Sequence, residues 1–238
     1  MAADLGAPEL TGIRRLSALD TVRARIALAI ELGLLAPGER LPPNGEIARA
    51  LGVGDITVRR ALVSLCEDGI LERRRGRNGG TLVAADAPAG RVGEVRAYRE
   101  ASDEVHQLID HRLVLESGLV QLVALRRPND AVVDELRALV RQMDSTTGWA
   151  EFHELDARFH AAVANVGAPP AAIRQYLSVL EELYRFYLPY SMPSLHQSNR
   201  DHEVLVQALA EHDPEAAALV TRAHVDDLHR TMFVGFPR

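Results

Sequence analysis

The sequence predicts a mainly α protein in two parts, an N-terminal winged helix-turn-helix followed by a C-terminal antiparallel all-α bundle of six or seven helices. Three observations carry this. Apolar residues recur at helical spacing through most of the 238 residues. Two short helical segments joined by a glycine turn precede an Arg/Gly-rich hairpin near the N-terminus. No strand pattern appears beyond about residue 100.

The first helix spans about 16–33, where Leu19, Val22, Ile26, Leu28, Ile30 and Leu34 recur at helical spacing. Gly33 and then Pro37-Gly38 stop it. A short helix follows over 44–51 and ends at Gly52, and another runs over 55–68 and ends at Gly69. The segments Ile70-Leu71 and 81–84 flank an Arg/Gly-rich tip and read as a β-hairpin. Together, residues 10–85 form the first domain. Residues 86–100 are Ala, Pro and Gly rich at their start and read as a linker. Residues 101–238 form the second domain, with helices near 101–126, 129–145, 148–166, 170–188, 197–212 and 214–233. Pro128, Gly148, Gly167, Pro189, Pro193 and Pro214 punctuate them. Short connections between six helices imply an antiparallel bundle.

Composition narrows the function. The apolar fraction of 47% is enough for a sizeable core. No run of 18 apolar residues occurs, so no membrane span and no membrane partner are expected. The N-terminal segment is acidic and lacks an apolar core, unlike a secretory signal. One cysteine, Cys66, sits among apolar residues as a small hydrophobe, consistent with the cytoplasm. The net charge is −6, but it is unevenly spread. Residues 1–90 hold 12 Arg and 11 acids, whereas 91–238 hold 15 Arg and 22 acids. Phosphate would be repelled by the second half, so nucleic-acid contact belongs to the first.

Within that half, Val58, Leu62 and Leu65 form an apolar stripe toward the preceding helix. Thr57, Arg59 and Arg60 then stand at the N-terminal end of the second helix, where such helices meet base edges and phosphates. Arginine can bind guanine bidentately or clamp a phosphate. Arg73, Arg74, Arg75 and Arg77 load the hairpin tip, and Gly76 removes side-chain bulk for close approach.

The stretch GERLPPNGEIARALGVGDITVRRALVSLCEDGILERRRGRNGG resembles the winged helix-turn-helix of GntR-type bacterial regulators, over about residues 15–84. The resemblance implies DNA contact by Arg59 and by the wing around Arg75, Gly76 and Arg77. Family members usually carry Arg where this chain has Gly45, and Ser or Thr then Arg where it has Gly54-Asp55. Arg60 stands in place of a usual Glu. DNA binding is therefore expected with an operator unlike the common one. Asp55 would repel phosphate but could accept from a cytosine amino group.

In the helical half, Asp156 and His160 lie four apart and share one helix face. His202 and His224 sit near the apolar faces of two later helices. A carboxylate and three imidazoles converging in a bundle suit zinc, nickel or manganese. Core histidines satisfied by packing are the alternative, and His153, His196, His212 and His229 are decoys of that kind. Residues 100–232 resemble the FCD ligand-binding domain of the FadR-type branch. The matching positions are Asp156, Phe159-His160 and His202-x21-His224. The resemblance implies that Asp156, His160, His202 and His224 hold a divalent metal, zinc first. It also matches Arg112 and Glu116 to a pair common in that domain's first helix. Arg112 is thus expected to bind an acidic effector, or to serve only as an Arg–Glu pair. Tyr184, Arg185, Tyr187 and Tyr190 line a pocket or pack the core.

No HExxH order occurs: His153-Glu154 is followed by Ala157, and His202-Glu203 by Val206. No P-loop, nucleophile elbow or dinucleotide fingerprint occurs either. The expectation is a cytoplasmic, homodimeric transcriptional repressor, not an enzyme. Its partners are a double-stranded DNA operator and a small organic acid. The alternative is a regulator in which the metal itself is the signal. A metal-dependent hydrolase is the remaining reading.

Overall fold

The computed structural model describes residues 16–76, 79–100 and 102–231. Helix α1 (Ala18–Glu31) starts where the Ser17 hydroxyl accepts from the Asp20 amide, and it buries Val22, Ile26 and Leu28. Helix α2 (Asn44–Leu51) turns at Gly52, whose φ of 66° is left-handed, into α3 (Asp55–Glu67). Val58, Leu62 and Leu65 of α3 are fully buried, as their spacing predicts. Strands β1 (Leu71–Arg74) and β2 (Gly80–Val83) pair antiparallel, Leu71 opposite Val83 and Arg74 opposite Gly80. Residues 38–41 add an edge to β2: Val83 N donates to Glu39 O, and Leu41 N to Thr81 O, both at 2.9 Å. At the wing tip, a Cβ on Gly79 would sit 2.3 Å from the Arg74 carbonyl oxygen, so only glycine fits the turn.

The second half of the expected linker is helical. Helix α4 (Val95–Glu100) buries Tyr98, whose hydroxyl receives the buried Arg25 Nε at 3.2 Å. Arg23 of α1 bridges Asp68 and Glu94 at 2.7 and 2.6 Å. Glu31 accepts from the Gly90 amide at 2.7 Å and from Arg99 at 2.6 Å. Tertiary ties, more than local propensity, make this six-residue helix.

Six long helices follow: α5 (Ser102–Leu125), α6 (Asp130–Ser145), α7 (Trp149–Asn165), α8 (Pro170–Tyr184), α9 (Met192–Ala210) and α10 (Pro214–Thr231). Helix α5 packs against α8 and α10, α6 against α7 and α9, and α9 against α10. Two ends differ from the sequence reading. Helix α8 stops at Tyr184 rather than 188. Helix α9 starts at Met192 rather than 197, because the Ser191 hydroxyl caps it by accepting from Ser194 N and Pro193 suits its first turn. One apolar cluster runs from α1 through α10, so the two halves share a core. Among the described residues no helix is long and apolar enough to cross a membrane. Arg77, together with residues 10–15 and 232–238 of the expected domains, lies outside the described residues.

Candidate functional site

The outer face of α3 begins with Asp55, Ile56, Arg59 and Arg60, all exposed, with Thr57 half-buried beside them. Among the described residues, neither Arg59 nor Arg60 has a salt-bridge partner. Both guanidiniums are therefore available to phosphate or base edges. On the wing, Arg73 and Arg75 are likewise exposed and unpaired, whereas Arg74 is held by Glu72 at 2.6 Å. Gly76 adopts φ 104° at the turn.

The two family departures are neighbours in space. A Cβ on Gly45 would lie 3.8 Å from Asp55 Oδ1. An arginine grown from position 45 could neutralise that carboxylate, and glycine leaves it open. Ile56 is 75% exposed beside it, a bare apolar side chain on a charged face.

The second site lies in the bundle. Helix α7 carries Asp156 and His160, α9 carries His202, and α10 carries His224. The three imidazoles offer ligand atoms that all lie within 4.8 Å of one another. Asp156 Oδ1 is 3.7 Å from both His160 Nε2 and His202 Nε2. Each residue is oriented from outside. The Asn199 Oδ1 accepts from His202 Nδ1 at 3.1 Å, and the Asn199 amide donates to Val140 O and Asp144 on α6. Glu116 Oε1 meets His160 Nδ1 at 2.9 Å. Asp201 meets His224 Nδ1 at 3.3 Å, and Tyr184 donates to Asp156 Oδ2 at 2.8 Å. These outer bonds leave the His202 and His224 Nε2 atoms and Asp156 Oδ1 turned to the centre. His202 Nε2 is buried with no hydrogen-bond partner among the described residues.

Electrostatics match this arrangement. Burial, with His224 and His160 alongside, pushes the His202 pKa well down, so its imidazole is neutral. Burial alone would raise Asp156, but His160, Arg112 and the Tyr184 hydrogen bond outweigh it and hold the carboxyl at about 2. A neutral His202 imidazole beside an ionised Asp156 carboxylate suits a divalent cation.

Arg112 forms the Arg–Glu pair and also lines a cavity. Its Nε donates to Glu116 Oε2 at 2.6 Å, within a pair almost wholly buried. Its other edge approaches His160 Nε2 at 3.0 Å and faces a cavity of about 750 Å³. A cation bound by His160 Nε2 would displace that contact and free this edge of the guanidinium. His153, Asp156, Tyr184, Tyr187 and His224 also line the cavity. Tyr184 and Tyr187 flank the His153 ring at centroid distances of 4.4 and 4.7 Å. The sequence reads His153 as a decoy and leaves these tyrosines between pocket and core; His153, Tyr184, Tyr187 and Tyr190 all line the cavity. Asn199 was also missed, although its three-residue spacing from His202 was a usable signal.

The chain matches two family descriptions: bacterial regulatory proteins of the gntR family over residues 19–83, and the FCD domain over 107–227. It is 31% identical over 212 residues to RmpR of Mycobacterium gastri, named as an HTH-type transcriptional regulator, covering 87% of this chain and 77% of that protein. It is 25% identical over 218 residues to NanR of an Enterobacter species, named as an HTH-type transcriptional repressor, covering 89% and 84%. Among solved structures, McbR/YncC of E. coli is similar in fold, with a TM-score of 0.50 at 17% identity over 93% of this chain and 100% of that one.

Proposed function

Because the chain belongs to the GntR family of bacterial regulators and carries an FCD domain, and is therefore a DNA-binding transcriptional regulator and not an enzyme, we propose a specific mode of regulation. The protein is a cytoplasmic, homodimeric repressor. A small carboxylate, held beside a divalent metal in the bundle, governs its grip on the operator. The observation that carries this is the orphaned His202 Nε2 next to Asp156 Oδ1, at a cavity that Arg112 also lines. Asp156, His160, His202 and His224 would hold the metal, zinc before nickel or manganese, and it would supply a Lewis-acid anchor for a carboxylate. Arg112 receives the same carboxylate, and the His153, Tyr184 and Tyr187 wall shapes the space for the rest of the ligand. A cavity of about 750 Å³ leaves room beside the metal for an organic effector. Metal analysis of purified protein, followed by a thermal-shift panel of organic, sugar and amino acids, tests this. One zinc per chain and a shift with a subset of acids are expected. Metal-free protein that no added zinc stabilises would sink the reading.

DNA is gripped by α3 and the wing. Thr57, Arg59 and Arg60 on the helix, and Arg73, Arg74, Arg75, Gly76 and Arg77 on the wing, are the proposed contacts. Arg74 contributes least because Glu72 already neutralises it. Two-fold operators, with half-sites roughly 34 Å or a multiple apart, call for a dimer. Removing a phosphate-clamping arginine, as in Arg60→Ala, should flatten the slope of log affinity against log salt by about 0.9. An unchanged slope would place Arg60 off the DNA backbone.

Asp55 and Ile56 should set operator preference. The carboxylate accepts from a cytosine amino group, and Ile56 meets a thymine methyl. Selection from random duplexes with Asp55→Ala should lose one base-pair preference per half-site, at a cost of about 1–3 kcal/mol on the wild-type operator. Identical selected sequences would remove Asp55 from base reading.

A further inference from the structure

Glu46 lies on α2, the first helix of the DNA-binding motif, yet its side chain is only 14% exposed. Its Oε1 accepts from the backbone amide of Ala150 at 2.7 Å, across 104 residues of sequence. Ala150 is the second residue of α7. That helix has Gly148 at its N-cap and no side-chain cap of its own. The carboxylate thus satisfies an orphan amide and complements the positive end of the helix, from another domain. The approach is close. A Cβ on Gly148 would stand 2.6 Å from Glu46 Oε1. Arg49 pairs with the other carboxylate oxygen and holds the side chain from the α2 side.

Helix α7 is the one that carries Asp156 and His160. They lie about 9 and 15 Å along the helix axis from the capped amide. Helix α2 packs directly on the reading helix α3. A short chain of contacts therefore runs from the bundle site through α7 and Glu46 to the reading helix.

We propose that Glu46 is a positioning residue that couples the bundle site to the orientation of the reading head. The inference rests on the proposed function, in that the occupied bundle site is taken as the input. Movement of α7 when its ligands close on their target is passed through the Ala150 amide to α2. Binding of operator is passed back the same way, because coupling between sites is reciprocal.

The test uses the full chain, zinc as the probe, and a duplex selected by the wild-type protein. Operator affinity is measured zinc-loaded and chelated, and zinc affinity with and without duplex. Wild type should show at least about a fivefold ratio in both directions, the lower end of ordinary allosteric coupling. Glu46→Ala should fold and bind zinc as wild type does without DNA, while both ratios collapse toward one. Glu46→Gln keeps an acceptor for the Ala150 amide and should retain most of the ratio. Gly148→Ala, which pushes the carboxylate away, should resemble Glu46→Ala. A full ratio in Glu46→Ala overturns the inference and leaves the carboxylate-governed regulator of the proposed function standing. Zinc binding with no ratio in wild type overturns it too. If wild type binds no zinc, the proposed function fails by itself, and hydrogen exchange then decides the tie. Operator-dependent exchange at the Ala150 amide in wild type, but not in Glu46→Ala, supports it, and equal exchange overturns it.

Discussion

Replacing Glu116 with leucine should cost about 3–5 kcal/mol of folding stability, because it strands a buried guanidinium. Arg112 and Glu116 are 4% and 3% exposed, and Glu116 is the only salt-bridge partner Arg112 has among the described residues. Arg112 and His160 together hold the Glu116 pKa well below the usual carboxylate range against the opposing effect of burial. The double variant Arg112→Met/Glu116→Leu should recover much of the loss, since a packed apolar pair needs no charge compensation. Equilibrium denaturation of the three proteins reads this. A loss below about 1 kcal/mol in the single variant would mean that Arg112 is compensated elsewhere. The same substitution frees His160 Nδ1, so zinc affinity should fall alongside stability.

Zinc at about a hundredfold excess over its dissociation constant should stabilise the chain by about 2.7 kcal/mol, or roughly 5–10 °C in Tm. His202→Ala should abolish that gain. Among the proposed ligands, His202 is the one best prepared for a metal. Its Nδ1 is engaged by Asn199, its pKa is pushed down by burial and by its two histidine neighbours, and its Nε2 has no hydrogen-bond partner among the described residues. Asn199→Ala should weaken zinc by about 10–100-fold without touching a ligand, because the ring loses its orienting acceptor. A thermal scan with zinc and with chelator checks both variants. A zinc shift of wild-type size in His202→Ala would move the metal elsewhere.

Much of the architecture was legible because it depends on local pattern. Val58, Leu62 and Leu65 mark the inner face of α3 by spacing alone, and Gly52 marks the turn before it. Helix α4 was not legible. Six residues are too few to display a helical period, and Tyr98 is fixed by Arg25, which lies 73 residues away. The early start of α9 was legible in principle, from Ser191 followed by Pro193.

The bundle site divides along the same line. The spacing of Asp156 and His160 places both on one helix face. Nothing in the spacing of His202 and His224 says that two further helices bring them to the same point, and there only family resemblance pointed the way. The residues that orient the ligands lie on other helices or other turns. Glu116 was legible only as the partner of Arg112 and Tyr184 only as a pocket candidate, and nothing tied either of them, or Asp201, to a particular ligand before the fold was in hand. Glu46 is the extreme case, since its partner is a backbone amide that any residue would offer.

Operator affinity of the zinc-loaded chain, titrated with an acid that raises its Tm, tests the central claim most directly when wild type, His202→Ala and Arg112→Ala are run side by side. The account predicts that the acid weakens operator binding by wild type at least about fivefold, and that both variants keep binding the operator but no longer respond to the acid. An undiminished response in His202→Ala would contradict it, as would an acid that binds wild type without moving its operator affinity.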